Sequence, residues 1–214
     1  MIVQIHFSLL SLRKTLLFGL IFLVKIAAVG DEITFSEKIL SQIIDRQERF
    51  FINYSSSQLN EKEMTRHAQE IVAEYESYLS QNPIDENALI LFGKFLRKVG
   101  QEEHAAEYFL EADKINPKLA VVKQQLANFL IEKNRPVDAF PLLILTIQLN
   151  PQEAVYHFQL GNFLFLFEKE LVSEKIFTNL SAQSFMHRCF FEAKSLQPKN
   201  FDFQLRYAQS FFDY

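Results

Sequence analysis

No tryptophan occurs in this chain, and only one cysteine, five glycines and six prolines are spread over its 214 residues. The single cysteine, Cys189, excludes an intrachain disulfide framework. Scarce glycine and proline argue against sandwiches and barrels, whose many turns need both. No Lys/Arg block is present: 22 basic and 26 acidic residues are interspersed, and the net charge is −4. The basic footprint of a nucleic-acid binder is missing, so no nucleic-acid partner is expected. Phosphate loops, nucleophile elbows and zinc-protease motifs are absent. His6, His67, His104, His157 and His187 show no metal-ligand spacing with one another or with Cys189. Neither a cofactor, a metal nor a catalytic residue is expected, and the chain does not read as an enzyme. "NYS" (53–55) and "NLS" (179–181) fit the N-glycosylation pattern, which matters only along a eukaryotic secretory route.

Good helix formers are plentiful, and phenylalanine reaches 23 residues. In a helical protein such rings are spent mainly on helix–helix packing. The N-terminus, "MIVQIHFSLLSLRKTLLFGLIFLVKIAAVGDE", has a positive stretch at Arg13 and Lys14 and an uncharged run from Thr15 to Val24. Small residues follow, with Ala28 and Gly30 placed for a cut before Asp31. The run is too short to span a bilayer core, although a snorkelling Lys25 leaves a short uncleaved anchor open. Residues 1–30 are therefore expected to be a signal peptide or a short membrane anchor. The protein is expected to be exported (periplasmic, secreted or lumenal) or held at a membrane by this segment. Loss of residues 1–30 removes Arg13, Lys14 and Lys25 and shifts the net charge to −7.

Three Asn-Pro pairs, in "QNPID", "INPKL" and "LNPQE", place Pro83, Pro117 and Pro151 at a constant spacing of 34 residues. Other positions keep the same register. Gly93, Ala127 and Gly161 are small; Phe95, Phe129 and Phe163 are aromatic; Leu96, Leu130 and Leu164 recur. Downstream, Ala105, Ala139 and Ser173 are small, and Phe109, Leu143 and Phe177 are large. Repeats of this length indicate stacked supersecondary units. Proline cannot continue the second helix of a unit, and the pair marks the turn to the next.

In these residues the chain resembles the tetratricopeptide repeat (TPR) family over about residues 62–214. Residues 86–119 carry Leu89, Phe92, Gly93, Leu96, Ala105, Phe109, Ala112 and Pro117 at the family's positions. Residues 120–153 match at Leu126, Ala127, Leu130, Ala139, Leu143 and Pro151 but depart at Lys123 and Thr146. Residues from 154 match at Leu160, Gly161, Leu164 and Phe177. The resemblance implies an all-α, helical-hairpin solenoid. It would hold about three repeats (86–119, 120–153 and 154–200), an N-terminal helical pair or degenerate repeat (31–85) and a terminal helix (201–214).

Helical spacing predicts an amphipathic helix over 36–52, then a helix over 61–80 opened by a capping box of Asn60 and Glu63. Pro136 suits a helix start, whereas Pro141, five residues on, predicts a kink or late start between Val137 and Leu142. Pro151 to Pro198 spans 47 residues, an insertion of 13 relative to the repeat. Such an insertion turns a straight helix by about 220°. A break near Asn179–Ser184, with Ser181 capping a new helix, is preferred over one long protruding helix. The tail "FDFQLRYAQSFFDY" repeats the first helix of a unit, with Tyr207, Ala208 and Phe211 in register. Its apolar end at Phe211, Phe212 and Tyr214 leaves open a homo-oligomer joined through this helix.

In the family, side chains on the first helix of each unit line a concave groove. The resemblance implies groove roles for Lys94 and Arg97 in the first repeat, Gln124 and Asn128 in the second, and Phe158, Asn162 and Phe165 in the third. The groove would run from basic to aromatic, with Asn128 and Asn162 able to bond a peptide backbone and with Phe158 and Phe165 exposed. The family's chaperone-tail clamp uses lysines at second and fifth positions, which here hold other residues. The expected function is a non-enzymatic scaffold that binds a peptide or helix of a partner protein. A self-assembling subunit and an accessory domain of an envelope enzyme are the alternatives.

Overall fold

The computed structural model describes residues 34–55 and 60–213. Residues 1–30, expected to be a signal peptide or short anchor, lie outside these residues, as do residues 56–59 and Tyr214. Among the described residues there are nine helices and no strand: α1 (Phe35–Ser55), α2 (Glu61–Gln81), α3 (Glu86–Lys98), α4 (Glu102–Ile115), α5 (Ala120–Glu132), α6 (Pro136–Leu149), α7 (Ala154–Ser173), α8 (Asn179–Leu196) and α9 (Phe201–Gln209).

Local chemistry sets most of the boundaries. Asn60 and Glu63 form the reciprocal capping box at the start of α2. Thr34 and Glu37 make the same arrangement before α1, and the Thr34 hydrogen bonds hold the Glu37 carboxyl below its usual range. At the other end of each unit, α2 stops at Asn82 and α6 at Asn150, each directly before proline. A residue preceding proline is pushed out of helical geometry. The carbonyls of Asn82, Asn150 and Gln197 then accept from the N–H groups three residues on, Asp85, Glu153 and Asn200. Those three residues are the N-caps of α3, α7 and α9, and their side chains accept from the first-turn N–H groups. One four-residue segment thus ends one helix and starts the next.

The turns from the first to the second helix of each unit repeat equally closely. Gly100, Asn134 and Lys175 all have positive φ (81°, 55° and 58°). Each follows a helix end at which two bonds close back. Gln101, Arg135 and Ile176 donate to Leu96, Leu130 and Leu171, while Gly100, Asn134 and Lys175 donate to Arg97, Ile131 and Val172. This is the Schellman arrangement, and only Gly100 adopts it without a Cβ penalty.

The chain divides into two compact units, Met1–Tyr108 and Phe109–Tyr214, with the division inside α4. In the first, α1 packs on α2 and α2 on α3, around Ile43, Phe50, Ile71, Tyr75, Leu89, Phe92 and Phe95. The Tyr75 and Phe92 rings stack at 4.9 Å. In the second, α5 through α9 pack each on the next. Its core holds Ala139, Leu143, Leu160, Phe163, Leu164, Leu171, Met186 and Phe190. Gly161 lies flat against Phe190, where an added Cβ would come within 2.6 Å of a ring carbon. That close approach explains the small residue at this repeat position.

Three expectations about the second unit are corrected. First, α6 starts at Pro136 and continues through Pro141 to Leu149, so there is no late start. Pro141 is exposed and lies early in the helix, where the missing N–H costs only the bond to Val137. Second, the break in the third repeat falls at 174–178, and Thr178, not Ser181, is the N-cap of α8. Ser181 is its capping-box partner, donating from Oγ to the Thr178 carbonyl and accepting from the Thr178 N–H. Third, Ser173 and Phe177 do not sit on a second helix; they end α7 and line the turn. Buried Ala182 and Met186 on α8 hold the positions taken by Ala139 and Leu143 on α6. The extra residues are shared out: α7 has 20 residues against 13 in α5, and α8 has 18 against 14 in α6. A non-helical residue at Phe167 (φ −116°, ψ 21°) bends the lengthened α7.

Candidate protein-binding face

In the second unit, α5 and α7 are linked by an amide ladder. Gln124 donates from Nε2 to Gln159 Oε1 at 2.7 Å, and Gln159 donates in turn to Asn128 Oδ1 at 2.5 Å. All three side chains are half-buried. The ladder uses the oxygen of Asn128 and leaves its NH2 group without a partner among the described residues. Asn162, one turn beyond Gln159, keeps its whole amide in that state and is also half-buried. Gln159 went unnoticed in the sequence, because nothing in the repeat pattern marks a residue whose role lies across two helices.

The aromatic positions separate. Phe165 is 47% exposed and faces the Arg206 guanidinium of α9, 4.4 Å from its ring centre. Arg206 also lies 4.4 Å from Phe190 and pairs with Asp213 at 2.6 Å. Phe158, expected to be exposed, is half-buried: its ring meets Phe203 at 4.7 Å and Phe190 at 5.9 Å. The turn of chain that brings α9 against α7 covers it. Leu166, the residue after Phe165 on α7, is 67% exposed.

In the first unit, Lys94 and Lys98 lie one turn apart on α3. The Lys98 ammonium sits over the Phe51 ring at 4.6 Å, and Phe51 in turn contacts Phe95. Desolvation lowers the half-buried Lys94 ammonium from the ordinary lysine range, and the charge of Lys98 lowers it further; Lys98 is shifted the same way by its packing on Phe51, although the residue as a whole is exposed. Arg97 is half-buried between them in sequence. The two units thus carry different surfaces: paired cations in one, primary amides beside an exposed ring in the other.

Reactive groups are muted. Cys189 is buried and its thiol is pushed up to about 12, which leaves almost no thiolate at neutral pH. His157 donates from Nε2 to the Pro151 carbonyl at 2.9 Å, a local tie across the turn. Among the described residues no helix is long and apolar enough to cross a membrane.

No protein-family profile matches the chain, and no curated protein matches it in sequence. Solved structures do match. The chain resembles the MamA fragment from residue 41 of Desulfovibrio magneticus RS-1, at 14% identity and TM-score 0.58 over 84% of this chain and 85% of that one. It is similar to YrrB, described as a TPR protein with an unusual peptide-binding site, at 14% identity and TM-score 0.52 over 85% and 84%. A thermophilic TPR protein of Thermus thermophilus aligns at 13% identity and TM-score 0.51 over 82% and 93%. At such identities the fold is what is shared, and the chain has the all-α, helical-hairpin solenoid fold of TPR proteins.

Proposed function

We propose that this protein is a non-enzymatic interaction scaffold whose first-helix faces bind a peptide or helix of a partner protein. The observation that carries the reading is the α5–α7 ladder, which holds Asn128 and leaves amide hydrogens of Asn128 and Asn162 unspent. Primary amides can donate to and accept from a peptide backbone regardless of its sequence. Phe165 offers an apolar contact beside them, while Phe158 supports the face from below. The likeness to YrrB, whose description includes a peptide-binding site, favours the same reading. An exported or membrane-anchored location, carried by residues 1–30, belongs to this proposal.

Selection of a displayed random-peptide library against the full-length chain tests it. We expect enriched peptides whose binding weakens about tenfold in Asn128→Ala/Asn162→Ala, since each lost hydrogen bond is worth about 0.5–1.5 kcal/mol. No enrichment, or peptides indifferent to both changes, would remove the reading. Self-association through the C-terminal segment is the rival, and concentration-dependent sedimentation without peptide binding would favour it.

A further inference from the structure

We infer that the outer face of α9 docks on the same face of a second copy of this chain, the two helices running antiparallel about a two-fold axis. Phe201, Leu205 and Ala208 lie at helical spacing on one side of α9. Phe212 continues the line in the turn where its N–H donates to the Gln209 carbonyl. All four are exposed. Phe203 and Ser210, on the opposite side, are buried. The helix is thus apolar on two faces, and among the described residues only one is covered. Gly93, Ala127 and Gly161, in the repeat register of Ala208, are all buried, Gly161 against Phe190 of the following helix. Ala208 keeps the small side chain of that position and lacks the helix above it.

The order of side chains points to a second copy. The spacing of 201, 205, 208 and 212 reads the same in both directions. Turned antiparallel, Phe201 meets Phe212 of the second copy and Leu205 meets Ala208, large against small, so the axes can approach closely. Such self-complementarity is what a two-fold contact requires. The flanks agree, since Asp202 of each copy comes beside the amide of Gln209 of the other. A parallel pair would instead set Asp202 beside Asp202. The two remaining charges, Arg206 and Asp213, are spent on each other. With about 150–250 Å2 on a full aromatic side chain, Phe201 at 70% exposure, Phe212 at 87% and Phe211 on the flank at 53% leave roughly 400 Å2 of apolar surface, to which Leu205 at 43% adds. Doubled in a pair, this comes close to the ~1,000 Å2 at which a specific interface begins, before other flanking residues are counted.

Sedimentation equilibrium of the full-length chain should show a monomer–dimer equilibrium. Leu205→Glu/Phe212→Glu should weaken it at least tenfold, because a carboxylate would have to be buried unpaired. Both positions are exposed, so the circular dichroism of the variant should stay unchanged. Cross-linking reads the orientation with the stripe intact. Asp202→Cys and Gln209→Cys chains, mixed under oxidised glutathione, should join to each other and neither to itself, since like positions stand roughly 14 Å apart along the antiparallel axes. Cys189 is buried and does not compete. The inference is overturned by a monomer at every concentration, by a dimer indifferent to the two glutamates, by Asp202→Cys chains that join to themselves, or by a monomer recruited to phosphatidylcholine vesicles instead. The pairing uses none of Asn128, Asn162 or Phe165. Peptide binding that persists in a monomeric chain sinks this inference alone, and a dimer that selects no peptide sinks only the scaffold reading.

Discussion

Lys123 stands where the repeat pattern calls for a large apolar side chain, and it is 7% exposed. Its ammonium lies 2.6 Å from Asp113 Oδ1 and 2.8 Å from Oδ2, so α4 brings the neutralising charge to α5. Thr146, the other departure, solves a smaller problem alone by donating to the Leu142 carbonyl one turn back. A buried pair is hard to break from one side, because the survivor stays dry and unpaired. Asp113 keeps 24% of its side chain exposed, so the penalty is below that of a fully enclosed pair. Lys123→Ala and Asp113→Ala should each cost about 1–3 kcal/mol in urea unfolding. Lys123→Leu with Asp113→Leu should recover most of that, and a double-mutant cycle without coupling would show the pair to be incidental.

At the scale of elements, proline explains both a correct expectation and a failed one. Asn-Pro ends α2 and α6 because the residue before proline leaves the helical region. Pro141 obeys the same rule weakly, since it falls in the second turn of α6, where one lost bond does not stop the helix. Its N–H is still missing, so Pro141→Ala should stabilise the protein by about 1–3 kcal/mol, less whatever the looser unfolded chain returns. Thermal unfolding followed by circular dichroism reads the change. A lower midpoint would mean that the helix relies on proline rigidity. The insertion in the third repeat teaches the complementary lesson. Counting residues gave 13 extra, but Thr178 and the Schellman turn at Lys175 decided where they went.

For the molecule as a whole, burial of neutral acids predicts alkaline sensitivity in both units. Tyr75 and Tyr78 in the first and Cys189 in the second have folded pKa values raised chiefly by desolvation, Tyr78 and Cys189 to about 12. A raised folded pKa means tighter proton binding in the native state. The stabilisation is therefore complete below the ordinary values, 9.0 for the thiol and 10.0 for the phenols, and is lost as pH climbs through the folded ones. Lys94 and Lys98 have the opposite sign, costing stability at neutral pH and regaining it as they deprotonate below 10.5. The tyrosine and cysteine shifts are the larger, so the urea midpoint should fall above about pH 10. Tyr75→Phe should flatten that fall at the expense of the Tyr75–Gln47 hydrogen bond. A midpoint that rises throughout would contradict the burial of these groups.

Caps, prolines and helix-ending turns act over four or five residues, and for that reason the chain by itself determined the number, order and approximate limits of its described helices and the small positions at Gly93, Ala127 and Gly161. What the side chains meet was decided only in three dimensions. Lys123 finds Asp113 ten residues away, Gln124 finds Gln159 thirty-five away, and Phe158 turns from a surface ring into part of the core once α8 and α9 close on it. Such pairings depend on which helix faces pack together, and a linear pattern of 34 residues does not contain that geometry.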